Sequence, residues 1–154
     1  MNTEIHLQGL AMHCVHEAKT ILEKKSLEGS LTIYAICLYG GGAQYQYGKK
    51  SSYKDYDVHI FLDRSPSYKA YESSKLNRHG GIWKAGIYKE KPVELFFGII
   101  DSTEDSVQDN ISKHIKNHSS DRWNCIKKNP ILILWPERHD YEFIERGYCH
   151  LTTG

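Results

Sequence analysis

The chain has 154 residues, of which 40% are hydrophobic and 25% are charged, and its formal net charge is +1. This length suits one domain with a sizeable core, and the composition is that of a folded globular protein rather than a disordered one. The near-zero charge disfavours a protein that binds nucleic acid through a bulk excess of basic residues.

Two sequence features bear on where the protein acts. No stretch of about 18 uncharged apolar residues occurs, and residues 1–6 lack a basic region followed by an apolar run, so we expect neither a transmembrane helix, a secretory signal nor a membrane partner. The four cysteines are scattered without a CxxC pair, which favours reduced thiols over a disulfide framework or a zinc ribbon. Together these features predict a cytoplasmic protein.

The first half of the chain is predicted to form one helix and two strands. Apolar residues recur at three- and four-residue spacing over 7–22, which predicts an amphipathic helix of about five turns. A nearly continuous apolar run over 31–39 predicts a buried strand that stops at the glycine triplet 40–42. A polar loop is expected next, followed by a second strand over 56–62.

The second half is predicted to alternate helices and strands around a hairpin. Ser65 and Pro66 are typical of a helix start, and that helix should end near 77–81. Strands over 82–88 and 93–100 would form a hairpin around a turn at 89–92. The remaining predicted elements are a helix capped by Asp101 or Ser102 and running to about His118, a fifth strand over 131–135 and a last helix within 137–148. The order predicts one α+β domain over 1–154, in which helices pack on a mixed sheet of about five strands.

A glycine-rich turn and two aspartates form the first part of a candidate site. At glycines 40–42 the backbone can approach a ligand closely and present its N–H groups. Asp55 and Asp57 lie two residues apart at the start of the next strand, so both carboxylates point to one face. Such carboxylates repel each other unless a cation lies between them, an arrangement that hard divalent metals such as Mg²⁺ accept.

Glu94 is the third candidate carboxylate. It interrupts an apolar strand, where a charge is costly unless it is paired or bound to metal. If that strand neighbours the strand of Asp55 and Asp57, three carboxylates converge beside the glycine turn. Metal ions held there, facing a phosphate-binding backbone, would suit metal-assisted phosphoryl or nucleotidyl transfer.

The pattern resembles the DNA polymerase beta-type nucleotidyltransferase superfamily over roughly residues 31–100. In that superfamily a strand leads to Gly-Gly or Gly-Ser, then to a later glycine, an Asp-x-Asp pair and a third carboxylate. The residues that match are Gly41 and Gly42 for the glycine pair, Gly48, Lys49 and Lys50 for the basic end of the loop, Asp55 and Asp57 for the paired metal ligands, and Glu94 for the third carboxylate.

The resemblance implies a nucleotidyltransferase-like fold and a Mg²⁺-dependent enzyme. Such an enzyme moves a nucleoside monophosphate from a nucleoside triphosphate, with ATP the expected substrate, to a hydroxyl acceptor. It implies that Asp55, Asp57 and Glu94 are catalytic and hold two Mg²⁺ ions. Because 154 residues leave little room for an acceptor domain, a homodimer or a partner chain would complete the acceptor site, and a helical partner protein is expected if the chain is antitoxin-like. The nucleotide phosphates would be bound by Gly41, Gly42 and Lys49.

Two alternatives remain open. Gly42 stands where the small enzymes commonly have Ser, and Glu94 stands where Asp is usual, so the chain could be a non-catalytic, antitoxin-like partner that keeps the fold and binds nucleotide. A fold-only relic is the third hypothesis. Within the site, His59 fits a packing or hydrogen-bonding role better than a ligand role. The tyrosines over 45–56 fit base stacking and loop anchoring equally.

Overall fold

The described part of the chain contains three continuous helices and six strands. The structure is a computed structural model that describes residues 3–25, 31–64, 69, 71, 76, 81–117, 131–136 and 143–144. In chain order the elements are α1 (Thr3–Lys24), β1 (Ile33–Tyr39), α2 (Gly40–Gln46), β2 (Tyr56–Asp63), β3 (Ile82–Tyr88), β4 (Lys91–Ile100), α3 (Val107–Asn117), β5 (Ile131–Trp135) and β6 (Phe143–Ile144).

All six strands belong to one mixed sheet with the order β3-β4-β2-β1-β5-β6. β1 pairs antiparallel with β2 on one side and with β5 on the other. β4 pairs parallel with β2 and antiparallel with β3, and the two-residue β6 extends the opposite edge. The predicted α+β class, with helices packed on a mixed sheet, is confirmed.

Apolar side chains cover both faces of this sheet. On one face α1 contributes residues such as Leu10 and Ala18, which pack against Leu38 and Ile60. On the other face α3 contributes two fully buried isoleucines. The apolar residues on this face form a second core, which includes Ala35, Cys37, Tyr39, Phe61, Phe96, Ile111 and Ile115. Because successive side chains along a strand point to opposite faces of the sheet, β1, β2, β4 and β5 each contribute to both cores.

The glycine triplet does not lead into a loop as predicted, because a short helix, α2, begins at Gly40 itself. Tyr39 is still extended, and Gly40 has a φ of +69°, which turns the chain sharply out of β1. Gly42 and Ala43 are buried where α2 contacts the sheet. Three glycines give a segment little helical propensity, so packing rather than propensity stabilises this helix.

The predicted start of the third helix at Asp101 or Ser102 is also wrong, since α3 begins at Val107. The side chains of both residues are engaged elsewhere: Asp101 pairs with Arg64, and the Ser102 hydroxyl donates to Asp63. The hydroxyl oxygen of Ser106 instead accepts the backbone N–H of Asp109 at 3.0 Å, as an N-cap side chain does.

Two further predictions concern segments that are only partly described. Most of the helix predicted from Ser65 to 77–81 lies outside the described residues, although the backbone at 69 and 71 is helical. Within the predicted last helix, residues 143–144 form strand β6 instead, and the rest of that segment is not described. None of the helices in the described ranges is long and apolar enough to cross a membrane.

Candidate functional site

Asp55, Asp57 and Glu94 meet at one end of the sheet. One carboxylate oxygen from each residue lies within 4.8 Å of those of the other two, and all three residues are partly buried. Asp57 and Glu94 are register partners in the parallel pair of β2 and β4, so their side chains share a face. Asp55 precedes β2 by one residue and joins them from the loop side.

Gly40 gives the Asp57 carboxylate its space. Asp57 is paired across the sheet with Tyr39, the last residue of β1, so the carboxylate lies directly beside Gly40. A Cβ atom at Gly40 would lie 2.8 Å from the Asp57 Oδ2 atom. Any larger residue would therefore collide with a member of the acidic cluster and would also be strained by the positive φ.

A lysine from the neighbouring strand contacts the acidic cluster. Lys84 on β3 is the register partner of Glu94 on β4, and its Nζ atom donates a hydrogen bond to the Glu94 Oε2 atom. This hydrogen bond and the negative charge of Glu94, with a smaller contribution from Asp55, raise the pKa of the Lys84 ammonium. Lys84 was not among the predicted site residues, because a lysine on an exposed strand has no distinguishing sequence pattern.

A basic cleft of about 640 Å³ opens next to the acidic cluster. Asp55 belongs both to the cluster and to the cleft wall, so the two features are continuous. The cleft has the size of a small-molecule site, and its three lysines and one aspartate leave it with a net positive charge. Its lining consists of Gly41, Lys49, Lys50, Ser51, Ser52, Tyr53, Lys54 and Asp55.

The residues predicted to bind phosphate occupy different places around this cleft. Gly41 and Lys49 line it, and so does Lys50. Gly42 does not belong to the lining: it is buried, and a Cβ atom there would lie 3.3 Å from a methyl group of Leu38. Lys54 and the two serines are cleft residues that the sequence alone did not indicate, because loop lysines and serines are common without any function.

The tyrosines between 45 and 56 divide between the core and the cleft. Tyr56 is fully buried, and its hydroxyl lies 3.0 Å from that of Tyr53 and 3.2 Å from the His6 Nε2 atom. Burial, more than these contacts, raises the Tyr56 pKa above its usual range. Tyr53 lines the cleft, and the ring of the exposed Tyr45 lies against it with 4.8 Å between centroids. Anchoring thus accounts for Tyr56. The Tyr53 ring also contacts Tyr56 and the Lys91 ammonium, so base stacking by Tyr45 or Tyr53 stays a prediction.

His59 lies inside the second core rather than at the acidic cluster. It is buried, and its ring lies 4.3 Å from that of Phe61 and 6.2 Å from that of Tyr39, measured between centroids. The absence of a side chain at Gly98 makes room for it, since a Cβ atom there would lie 2.8 Å from the His59 Nε2 atom. These contacts agree with the packing role favoured from the sequence.

The donor set of the acidic cluster fits Mg²⁺ in chemical type. Three carboxylates supply hard oxygen ligands, which Mg²⁺ prefers over the nitrogen and sulfur ligands that zinc accepts. One oxygen atom from each residue lies within 4.8 Å of those of the other two, so small movements of the side chains would allow them to bind one divalent ion or two neighbouring ions. Comparison of the chain with known protein families, curated proteins and solved structures finds no match, so this interpretation depends on the geometry alone.

Proposed function

We propose that the protein is a Mg²⁺-dependent nucleotidyltransferase that moves a nucleoside monophosphate from a nucleoside triphosphate, with ATP the expected substrate, to a hydroxyl acceptor. One observation carries the proposal: three carboxylates converge beside a glycine at a strand end, and a lysine-lined cleft continues from them. An acidic metal cluster next to an anion cleft is the pairing of charges that a metal-bound polyphosphate requires.

Each part of the site has a task in this proposal. Asp55, Asp57 and Glu94 would hold two Mg²⁺ ions, which when bound would neutralise charge on the phosphates and on the attacking oxygen. The cleft lysines, Lys49 among them, would bind the phosphate oxygens that the metal ligands leave exposed. The acceptor hydroxyl gives its proton to Glu94 or to water, and its oxygen attacks the α-phosphorus. The bond from that phosphorus to the oxygen bridging it to the β-phosphate breaks, and pyrophosphate leaves with the electron pair.

The proposal is tested by following pyrophosphate release. The purified protein is incubated with each labelled nucleoside triphosphate and Mg²⁺, in the presence of pooled small molecules, RNA or protein as acceptors. We expect release by the wild type and a loss of at least about a hundredfold in Asp57→Asn, because the metal ligands act as one unit. Asp109→Asn, at an exposed position of α3, is the matched control and should keep full activity.

Two results would contradict the proposal. Equal release by the wild type and by Asp57→Asn would show that the activity belongs to another site or to a contaminant. If neither protein releases pyrophosphate with any nucleotide and any acceptor pool, the site does not catalyse nucleotidyl transfer.

A non-catalytic nucleotide-binding partner protein is the second candidate function, and the Lys84–Glu94 ion pair favours it. That pair satisfies one carboxylate of the cluster without any metal ion. In addition, Gly42 is buried and has no hydroxyl to offer a phosphate. Calorimetry with a triphosphate separates the candidates: binding that is unaffected by Mg²⁺ supports the partner protein, whereas binding that requires Mg²⁺ supports the transferase.

A further inference from the structure

The ammonium group of Lys84 contributes a positive charge directly at the acidic cluster, through its ion pair with Glu94. The cluster carries three formal negative charges when its carboxylates are ionised, and the Lys84 ammonium offsets one of them. The chain therefore already places one cation of its own where a metal ion would bind.

The two partners of this ion pair differ in their freedom to move. The Lys84 side chain is 77% exposed, whereas that of Glu94 is only 17% exposed. Lys84 lies on β3, an edge strand of the sheet, while Glu94 lies between β2 and β3 on an inner strand. The lysine can therefore move into water at little cost, since water solvates its charged end well. The partly buried glutamate is less well solvated and gains more from a cationic partner.

We infer that Lys84 is an internal counter-ion that holds Glu94 in place without metal and competes with divalent cations for that carboxylate. The inference rests on the proposed metal site and adds the residue that regulates its occupancy. A metal ion that binds Glu94 competes with the ammonium, because both cations are attracted to the same carboxylate and repel each other. Removal of the ammonium should therefore strengthen metal binding instead of weakening it.

The test measures the binding of Mn²⁺, which shares the preference of Mg²⁺ for oxygen ligands and is detected by paramagnetic resonance. The full chain is titrated without nucleotide, as wild type and as Lys84→Met. We expect Lys84→Met to bind Mn²⁺ about two- to fivefold more tightly, the effect of one exposed ion-pair partner. Lys84→Arg keeps the positive charge and should bind Mn²⁺ as weakly as the wild type.

Two controls make the outcomes distinct. Lys113→Met removes a lysine that pairs with Glu104, which follows the end of β4 opposite to the end that carries Glu94. This variant should leave Mn²⁺ affinity unchanged and therefore controls for the change in net charge. Asp57→Asn tests the metal site itself, and unchanged Mn²⁺ binding in that variant would overturn the proposed function. If Asp57→Asn loses Mn²⁺ while Lys84→Met binds it no more tightly than the wild type, only the competition by Lys84 is refuted.

Discussion

Gly40 is the single residue at which backbone conformation and site chemistry depend most directly on each other. Its φ of +69° lets the chain leave β1 and start α2 at once, and its missing side chain leaves room for the Asp57 carboxylate. Alanine would be strained in that conformation and would also meet the Asp57 Oδ2 atom at 2.8 Å. The position is therefore constrained twice, by the turn and by the acidic cluster.

Gly40→Ala tests both constraints against a matched glycine. Gly48 has a φ of +80°, and a Cβ atom at that position would have no neighbour within 4 Å, so Gly48→Ala measures the backbone strain alone. We expect Gly48→Ala to lower the free energy of unfolding by about 1 kcal/mol and Gly40→Ala to lower it further. Urea denaturation checks the difference, and equal losses would show that Asp57 does not need the space at Gly40.

At the scale of elements, the β3–β4 hairpin determines which residue meets Glu94. A two-residue turn pairs Tyr88 with Lys91 and Ile87 with Pro92, and an unbroken ladder would then place Ala85 opposite Glu94. The register instead shifts between Lys84 and Ile87, where Gly86 has a φ of +73°. This irregularity brings Lys84 to Glu94, as a β-bulge changes the side chain presented at one position.

The hairpin turn itself offers a stabilising substitution. Lys89 and Glu90 both have positive φ values, of 50° and 71°, although neither is glycine. Glu90→Gly should raise the free energy of unfolding by about 1 kcal/mol, because glycine adopts the left-handed region without strain. Lys19→Gly, at an exposed position inside α1, should lower it by about 0.5–1 kcal/mol. Thermal unfolding measures whether each substitution raises or lowers stability. A lower stability of Glu90→Gly would contradict the strain inferred at this turn.

At the scale of the whole molecule, a buried polar contact links the first helix to the sheet. The His6 side chain of α1 lies against the Tyr56 hydroxyl of β2, and the Tyr88 hydroxyl of β3 donates to the His6 carbonyl at 3.0 Å. Burial, and to a lesser degree the charge of Lys89, lowers the pKa of His6 below its value of 6.5 in the unfolded chain. Protonation of His6 therefore opposes docking of α1 on the sheet.

The pH dependence of stability follows from the sign of that shift. Between the lowered pKa of the folded state and 6.5, the unfolded chain binds more protons than the folded one, so stability falls as the pH decreases through this window. We expect the loss of stability between pH 7.5 and pH 5.5 to be smaller in His6→Gln than in the wild type. His16→Gln, at an exposed position of the same helix, should keep the wild-type loss, and an identical loss in all three proteins would rule out a role for His6.

Much of the fold was predictable because the relevant signals are local. The apolar period of 7–22, the continuous run of 31–39 and the run of 131–135 each identified an element correctly, since burial on one or both sides determines such patterns. The sequence failed at α2, whose glycines have low helical propensity, and at the start of α3, where Asp101 and Ser102 have tertiary partners instead. In both places contacts with distant residues outweigh local preference.

The sequence by itself determined which carboxylates could work together, because Asp55 and Asp57 share a face through their spacing and Glu94 is a charge in an apolar strand. Only the tertiary structure decided that they meet, since the parallel pairing of β2 with β4 joins residues 37 positions apart in the chain. It also decided that Lys84 joins them, through the register shift beside Gly86. Strand order and register arise from long-range packing of whole faces, and no local pattern of residues encodes them.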